Sequence, residues 1–171
     1  MWARFARSYL MRLQLNRGVM RPHIPYPMQP TPTDPAFERA VLTAFSFVSR
    51  SAAPRIIDSS YSAMSFGNAD IGLEGDTLRI RVTRDRGQYL VDVSPLGVAE
   101  WFDQDAVLRL VGAEESLASL SHSDLRSLEL AAGAFHTHLA AIESLFRPPA
   151  WPESRIALKA LQERRAHELF G

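Results

Sequence analysis

Cysteine is absent from this chain of 171 residues. That excludes disulfides, a thiolate zinc site and a cysteine nucleophile, and it suits a reducing compartment. Lysine is nearly absent as well: Lys159 stands alone against 18 arginines, a bias that reads as genome base composition rather than function. No apolar run approaches the ~20 residues needed to cross a bilayer. GxSxG, HExxH, GxxxxGK[ST] and GxGxxG are all missing, so the usual serine-hydrolase, metallopeptidase, P-loop and dinucleotide signatures are excluded. His136 and His138 lie two apart on an expected helix and point to opposite sides. A shared metal would need a spacing of three or four. His23, His122 and His167 are isolated. No metal or cofactor is expected.

Charge is missing on one side only locally. Residues 1–33 hold Arg4, Arg7, Arg12, Arg17 and Arg21 and no acid, leaving 14 basic against 19 acidic residues from Asp34 onward. A neutral whole is therefore a basic arm on a body of net charge −5. In residues 1–17, Trp2, Phe5, Tyr9 and Leu13 recur at helical spacing between arginines. Three readings stand: a transit peptide, a helix lying on an anionic membrane surface, or an upstream extension with Met20 or Met28 as the true start. A secretory signal would need an uninterrupted apolar stretch. Six prolines between Pro22 and Pro35 predict an extended polyproline-like linker, readable also as a PxxP ligand. Residues 1–33 are accordingly expected to be a poorly ordered arm and linker, and 34–171 a single α+β domain.

In the body, Asp34-Pro35 predicts a helix start, with Phe37, Val41, Ala44, Phe45 and Val48 on one face. Alternating runs then predict strands around turns at Gly67-Asn68, Gly75-Asp76 and Asp85-Arg86-Gly87. Pairing Glu74 with Thr77 and Thr83 with Gln88 puts Leu73, Leu78, Ile80, Val82, Val91 and Val93 on one face, and the two turns agree on it. The first turn would add Met64 and Phe66 to the same face. The fold expected is α+β: an antiparallel four-stranded β-meander packed against an N-terminal helix and C-terminal helices.

On the other face this register sets Asp70 opposite Arg81 and Arg79 opposite Asp92. Such a face is either a solvated set of cross-strand ion pairs worth ~0.2–1 kcal/mol each or a recognition surface of arginine forks and carboxylates. Trp101 and Phe102 begin an apolar corner, with Asp103 as a helix cap and Gly112 as its stop. Trp101 reads as core packing or as an exposed hot spot. The binding candidates are therefore Asp70, Arg79, Arg81, Asp92 and Trp101. Arginine neighbours depress a carboxylate pKa, so Asp70 and Asp92 would be poor general bases, and an enzyme is the less supported reading.

Ser121-x-x-Asp124 resembles a capping box for one long helix, with Leu125, Leu128, Ala132, Phe135, Leu139, Ile142 and Phe146 as an apolar seam. The seam either packs inside the chain or builds a homodimer through the Leu125–Phe146 helix. Arg147-Pro148-Pro149 stops it, and a final helix carries Ile156, Ala160, Leu161, Arg164 and Leu169.

Phe66-Gly67-Asn68, Leu78-Arg79-Ile80-Arg81-Val82, Arg84-Asp85-Arg86-Gly87-Gln88 and Glu100-Trp101-Phe102-Asp103 together resemble a set found in small uncharacterised bacterial proteins, some of them similar to immunity proteins of toxin systems. The resemblance spans about fifty residues, less than a third of the chain. It implies binding without catalytic residues.

The leading expectation is a cytoplasmic, non-enzymatic binding protein that meets a protein partner, a basic one by charge complementarity. The basic-stripe pattern of a nucleic-acid surface is absent from the body. The alternatives are a small enzyme or binder for a phosphate- or carboxylate-bearing metabolite at Arg79 and Arg81, and a dimeric adaptor built on the helical seam.

Overall fold

The structure, a computed structural model, describes residues 34–113, 115 and 125–170. The arginine-rich arm, the proline linker and the Ser121–Asp124 capping box lie outside the described residues.

Asp34 opens helix α1 (Pro35–Ala44) by accepting from the Ala36 and Phe37 amides, each at 3.1 Å. Two of the four orphan amides of the first turn are thereby satisfied. A 3-10 turn (Ser46–Val48) follows, and Phe37, Val41, Phe45 and Val48 are buried as the spacing predicts.

The sheet has five antiparallel strands in consecutive order: β1 (Arg55–Ser62), β2 (Asn68–Glu74), β3 (Leu78–Asp85), β4 (Gln88–Pro95) and β5 (Phe102–Asp103). The count of four is corrected to five, because Phe102-Asp103 returns to pair beside Val93 and Asp92. The first strand is also earlier than expected. Arg55–Ser62 pairs with β2, with Ile57 as the extra residue of a bulge that breaks the apolar alternation. Met64 and Phe66 are consequently beyond the strand and exposed, not in the core.

Both hairpins keep the expected faces with a different register. Leu73 pairs with Ile80 and Ile71 with Val82, a shift of two from the expected partners. Val82 pairs with Val91 and Asp85 with Gln88, again a shift of two. The β3–β4 turn is only Arg86-Gly87, with φ of 52° and 79°, the left-handed pair that a tight two-residue hairpin requires. An even shift moves partners without turning side chains over. Leu78, Ile80 and Val82 are therefore fully buried in the hydrophobic core.

Gly75 is needed for close approach. A Cβ there would lie 2.7 Å from the Val48 carbonyl carbon, because the turn packs against the end of the 3-10 segment. Asp76 secures the contact: its amide donates to Val48 O at 3.0 Å, and its carboxylate accepts from Ser49 Oγ and the Arg50 amide, both at 2.8 Å.

Asp103 caps α2 (Gln104–Leu110) by accepting from the Ala106 amide, and Gly112 at φ 74° ends it. The expected long helix is two, α3 (Leu125–Thr137) and α4 (Leu139–Leu145), with the break at His138. Thr137 Oγ1 donates back to Gly133 O, a bond that bends helices. Leu128, Ala132, Phe135, Ile142 and Phe146 of the seam are buried in this chain's own core. Helix α5 (Trp151–Phe170) sets Trp151 against Phe102 and Phe146 and buries Leu158, whereas Ile156 is exposed.

Candidate functional site

Strand alternation fixes which residues share the sheet's far face, opposite the core. Read across the strands, one row holds Arg55, Glu74, Arg79 and Ser94. The next holds Asp58, Gly72, Arg81, Asp92 and Asp103, and the third Ser60, Asp70, Thr83 and Leu90. Carboxylates outnumber guanidiniums on this face.

Its centre is an aromatic lid on two arginines. After β4 the chain turns at Gly97 (φ 74°) and folds back over the sheet. The Val98 carbonyl accepts from Arg79 Nη2 and, at 3.0 Å, from Ser94 Oγ. Trp101 then lies across both guanidiniums, with Arg79 Cζ 5.0 Å and Arg81 Cζ 4.7 Å from the ring centroid. Each contact places a cation over the negative π-face.

Arg81 is also neutralised. Its Nε and Nη2 donate to Asp92 Oδ2 at 3.1 and 2.8 Å. Arg79 donates to Ser94 Oγ at 2.8 Å, while its Nε is enclosed without a hydrogen-bond partner among the described residues. The ladder sets Asp92 beside Asp103, whose Oδ1 accepts from Arg165 Nη1 of α5 at 2.9 Å. Arg165 also pairs with Asp105, whose carboxyl burial pushes above the ordinary range, with Arg165 opposing that rise. Two charge clusters therefore meet on this row, Arg81–Asp92 and Asp103–Arg165–Asp105, with the like-charged Asp92 and Asp103 side by side where they join.

The lid is anchored from outside. Glu100 accepts from Arg155 Nε and Nη2 at 2.5 and 2.6 Å, and Lys159 lies 2.7 Å away. The Arg155 hydrogen bond, joined by Lys159, holds the Glu100 carboxyl down to about 2. Gln162 Nε2 donates to the Trp101 carbonyl at 3.4 Å.

Of the five residues expected to share a site, Arg79, Arg81, Asp92 and Trp101 come together. The expected pairings change with the register. Arg81, not Arg79, faces Asp92. Asp70 faces Thr83, whose hydroxyl donates to it, and not Arg81. Trp101 is half-buried on the far face, whereas its neighbour Phe102 is in the core. Sequence reasoning passed over Arg165, Ser94 and Glu100. The opposite directions of adjacent strand residues were the available sign that Trp101 and Phe102 part company.

Among the described residues no group of three or more His, Cys, Asp or Glu could hold a metal ion, and no helix is long and apolar enough to cross a membrane. His136 stacks on Phe47, ring centroids 4.5 Å apart. Comparison with protein-family models, with curated proteins and with solved structures found no match.

Proposed function

We propose that this chain is a non-enzymatic, cytoplasmic protein-binding module whose contact surface is the far face of the sheet, centred on Trp101, Arg79 and Arg81. One observation carries the reading: a half-buried tryptophan held over two arginines on the polar face of the sheet. Trp and Arg are the residue types that dominate interface energetics, most strongly where the surroundings fix them beforehand. The carboxylates around them, and the body's net charge of −5, favour a basic partner through faster encounter. An immunity or antitoxin role in a bacterial cell is the specific instance that the resemblance to immunity-like proteins supplies.

A metabolite clamp at Arg79 and Arg81 has less support. Two Arg81 nitrogens are committed to Asp92, and Trp101 covers the guanidiniums that would grip an anion.

The test is a photoreactive residue at Leu90, on the far face, and separately at Ile156, on α5, in cells of the native host. The module reading expects one discrete protein adduct from position 90 and none from 156. The same adducts from both positions, or none from 90, would overturn it.

A further inference from the structure

Strand β1 departs from regular pairing at one point. Ile57 is the extra residue between Ile56, paired with Leu73, and Asp58, paired with Gly72. A Cβ at Gly72 would lie 3.2 Å from Ile57 Cγ1 and 3.3 Å from Asp58 Cβ. The missing side chain is what lets the bulged pair lean over β2 on the far face. Both features weaken a strand, since a bulge interrupts the ladder and an internal glycine costs backbone entropy. Together they set an isoleucine and a carboxylate side by side on a polar face, Ile57 half-buried and Asp58 exposed.

Asp58 differs from the other carboxylates of this face. Glu74 is taken by Arg55, Asp70 by Thr83 and Asp92 by Arg81, as Asp103 is from α5. Asp58 has no hydrogen bond or ion pair with any described residue. The next cation along its row, Arg81, is committed to Asp92 beneath Trp101.

We propose that Ile57 and Asp58 form a second anchor point of the contact surface and receive an arginine of the protein partner, which rests on the far face being that surface. A guanidinium fork can engage both Asp58 oxygens, and its aliphatic stem can lie along Ile57. Arginine suits the place better than lysine, because the guanidinium is the more weakly hydrated cation and loses less on leaving water beside an apolar side chain. The bulge supplies the charge complementarity that the engaged carboxylates cannot. Trp101 covers Arg81 of β3, and β1 lies two strand spacings from β3, about 10 Å. One segment of a partner can therefore span both anchors.

The probe is the protein cross-linked from position 90, titrated calorimetrically into the full chain. Asp58→Asn should weaken its Kd about tenfold, as loss of a charged hydrogen-bonded pair does. Glu153→Gln, the same change of charge at an exposed carboxylate of α5, should leave it within about twofold. Asp58 holds nothing within the described residues, so Asp58→Asn should melt as wild type does; were it to melt lower, Asp58→Ser, with the same expected loss, carries the test. A photoreactive residue at Ser60, the next far-face position of β1, should capture the same protein through a segment that contains an arginine. Changing that arginine to Ala should cost the wild-type chain about tenfold and the Asp58→Asn chain less than about twofold. Three results would each overturn the anchor: Asp58→Asn weakening the complex no more than Glu153→Gln, a captured segment without arginine, or two losses that simply add. Each leaves capture at 90 intact, and with it the contact surface. No adduct from 90 would remove the contact surface and this anchor together.

Discussion

Arg81 grips Asp92 across β3 and β4 through two nitrogens, both directed at Oδ2, beneath the ring of Trp101. The pair is partly sheltered: the Arg81 side chain is 31% exposed and that of Asp92 13%. Such a pair contributes less than its short distances suggest, because both charges lose water. Breaking one side is costlier than the pair is valuable.

Asp92→Asn leaves the Arg81 guanidinium without a counter-ion under an aromatic lid. The expected loss is about 1–2 kcal/mol in urea unfolding at neutral pH. It falls at the lower end of the range for sheltered pairs because Asp103, opposite Asp92 in the ladder, is freed of a like-charged neighbour. Adding Arg81→Met to Asp92→Asn should recover part of the loss.

Two glycines should respond oppositely to alanine. Gly75→Ala forces a Cβ into the Val48 carbonyl and should destabilise by roughly 2 kcal/mol or more. Gly133 lies inside α3 with nothing within 4 Å of its added Cβ, so Gly133→Ala should stabilise by about 0.5–1 kcal/mol. Thermal melting of the two variants against wild type checks both signs.

The lid's anchor predicts a pH dependence. Glu100 has its ordinary value of 4.5 in the unfolded chain and is held to about 2 in the folded one, chiefly by Arg155. The unfolded state therefore binds the proton first. The stability this group contributes is complete above about 4.5 and disappears as pH falls toward 2. Glu100→Gln should melt below wild type at neutral pH, and the gap should close across that window. A gap constant from pH 6 to pH 2 would count against the Arg155–Glu100 link.

The faces of the sheet were legible because the period of two is robust. Both hairpins differ from their expected registers by an even number of residues, so Ile80 stays buried and Arg81 stays outside. The partners were not legible, since Arg86 accepts a positive φ that sequence usually reserves for Asn or Gly and so shortens the turn. The strand Arg55–Ser62 was hidden by its serines and by the Ile57 bulge. The seam from Leu128 to Phe146 was visible, but its break at Thr137–His138 depends on a hydroxyl bond that periodicity cannot register. At the site, residue types were readable and contacts were not. The position of Trp101 depends on a returning loop held by Arg155, Lys159 and Gln162, from a helix more than fifty residues later in the chain.

The central claim, that the far face around Trp101 is where a protein partner docks, is tested most directly by titration calorimetry with the protein that cross-links at position 90. Trp101→Ala removes the ring without touching Phe102 or the buried face of the sheet, and the variant should remain folded. The expected result is a Kd weaker by tenfold or more, about 1.4 kcal/mol. A Kd that stays within about twofold of wild type, a difference of about 0.4 kcal/mol, would contradict it.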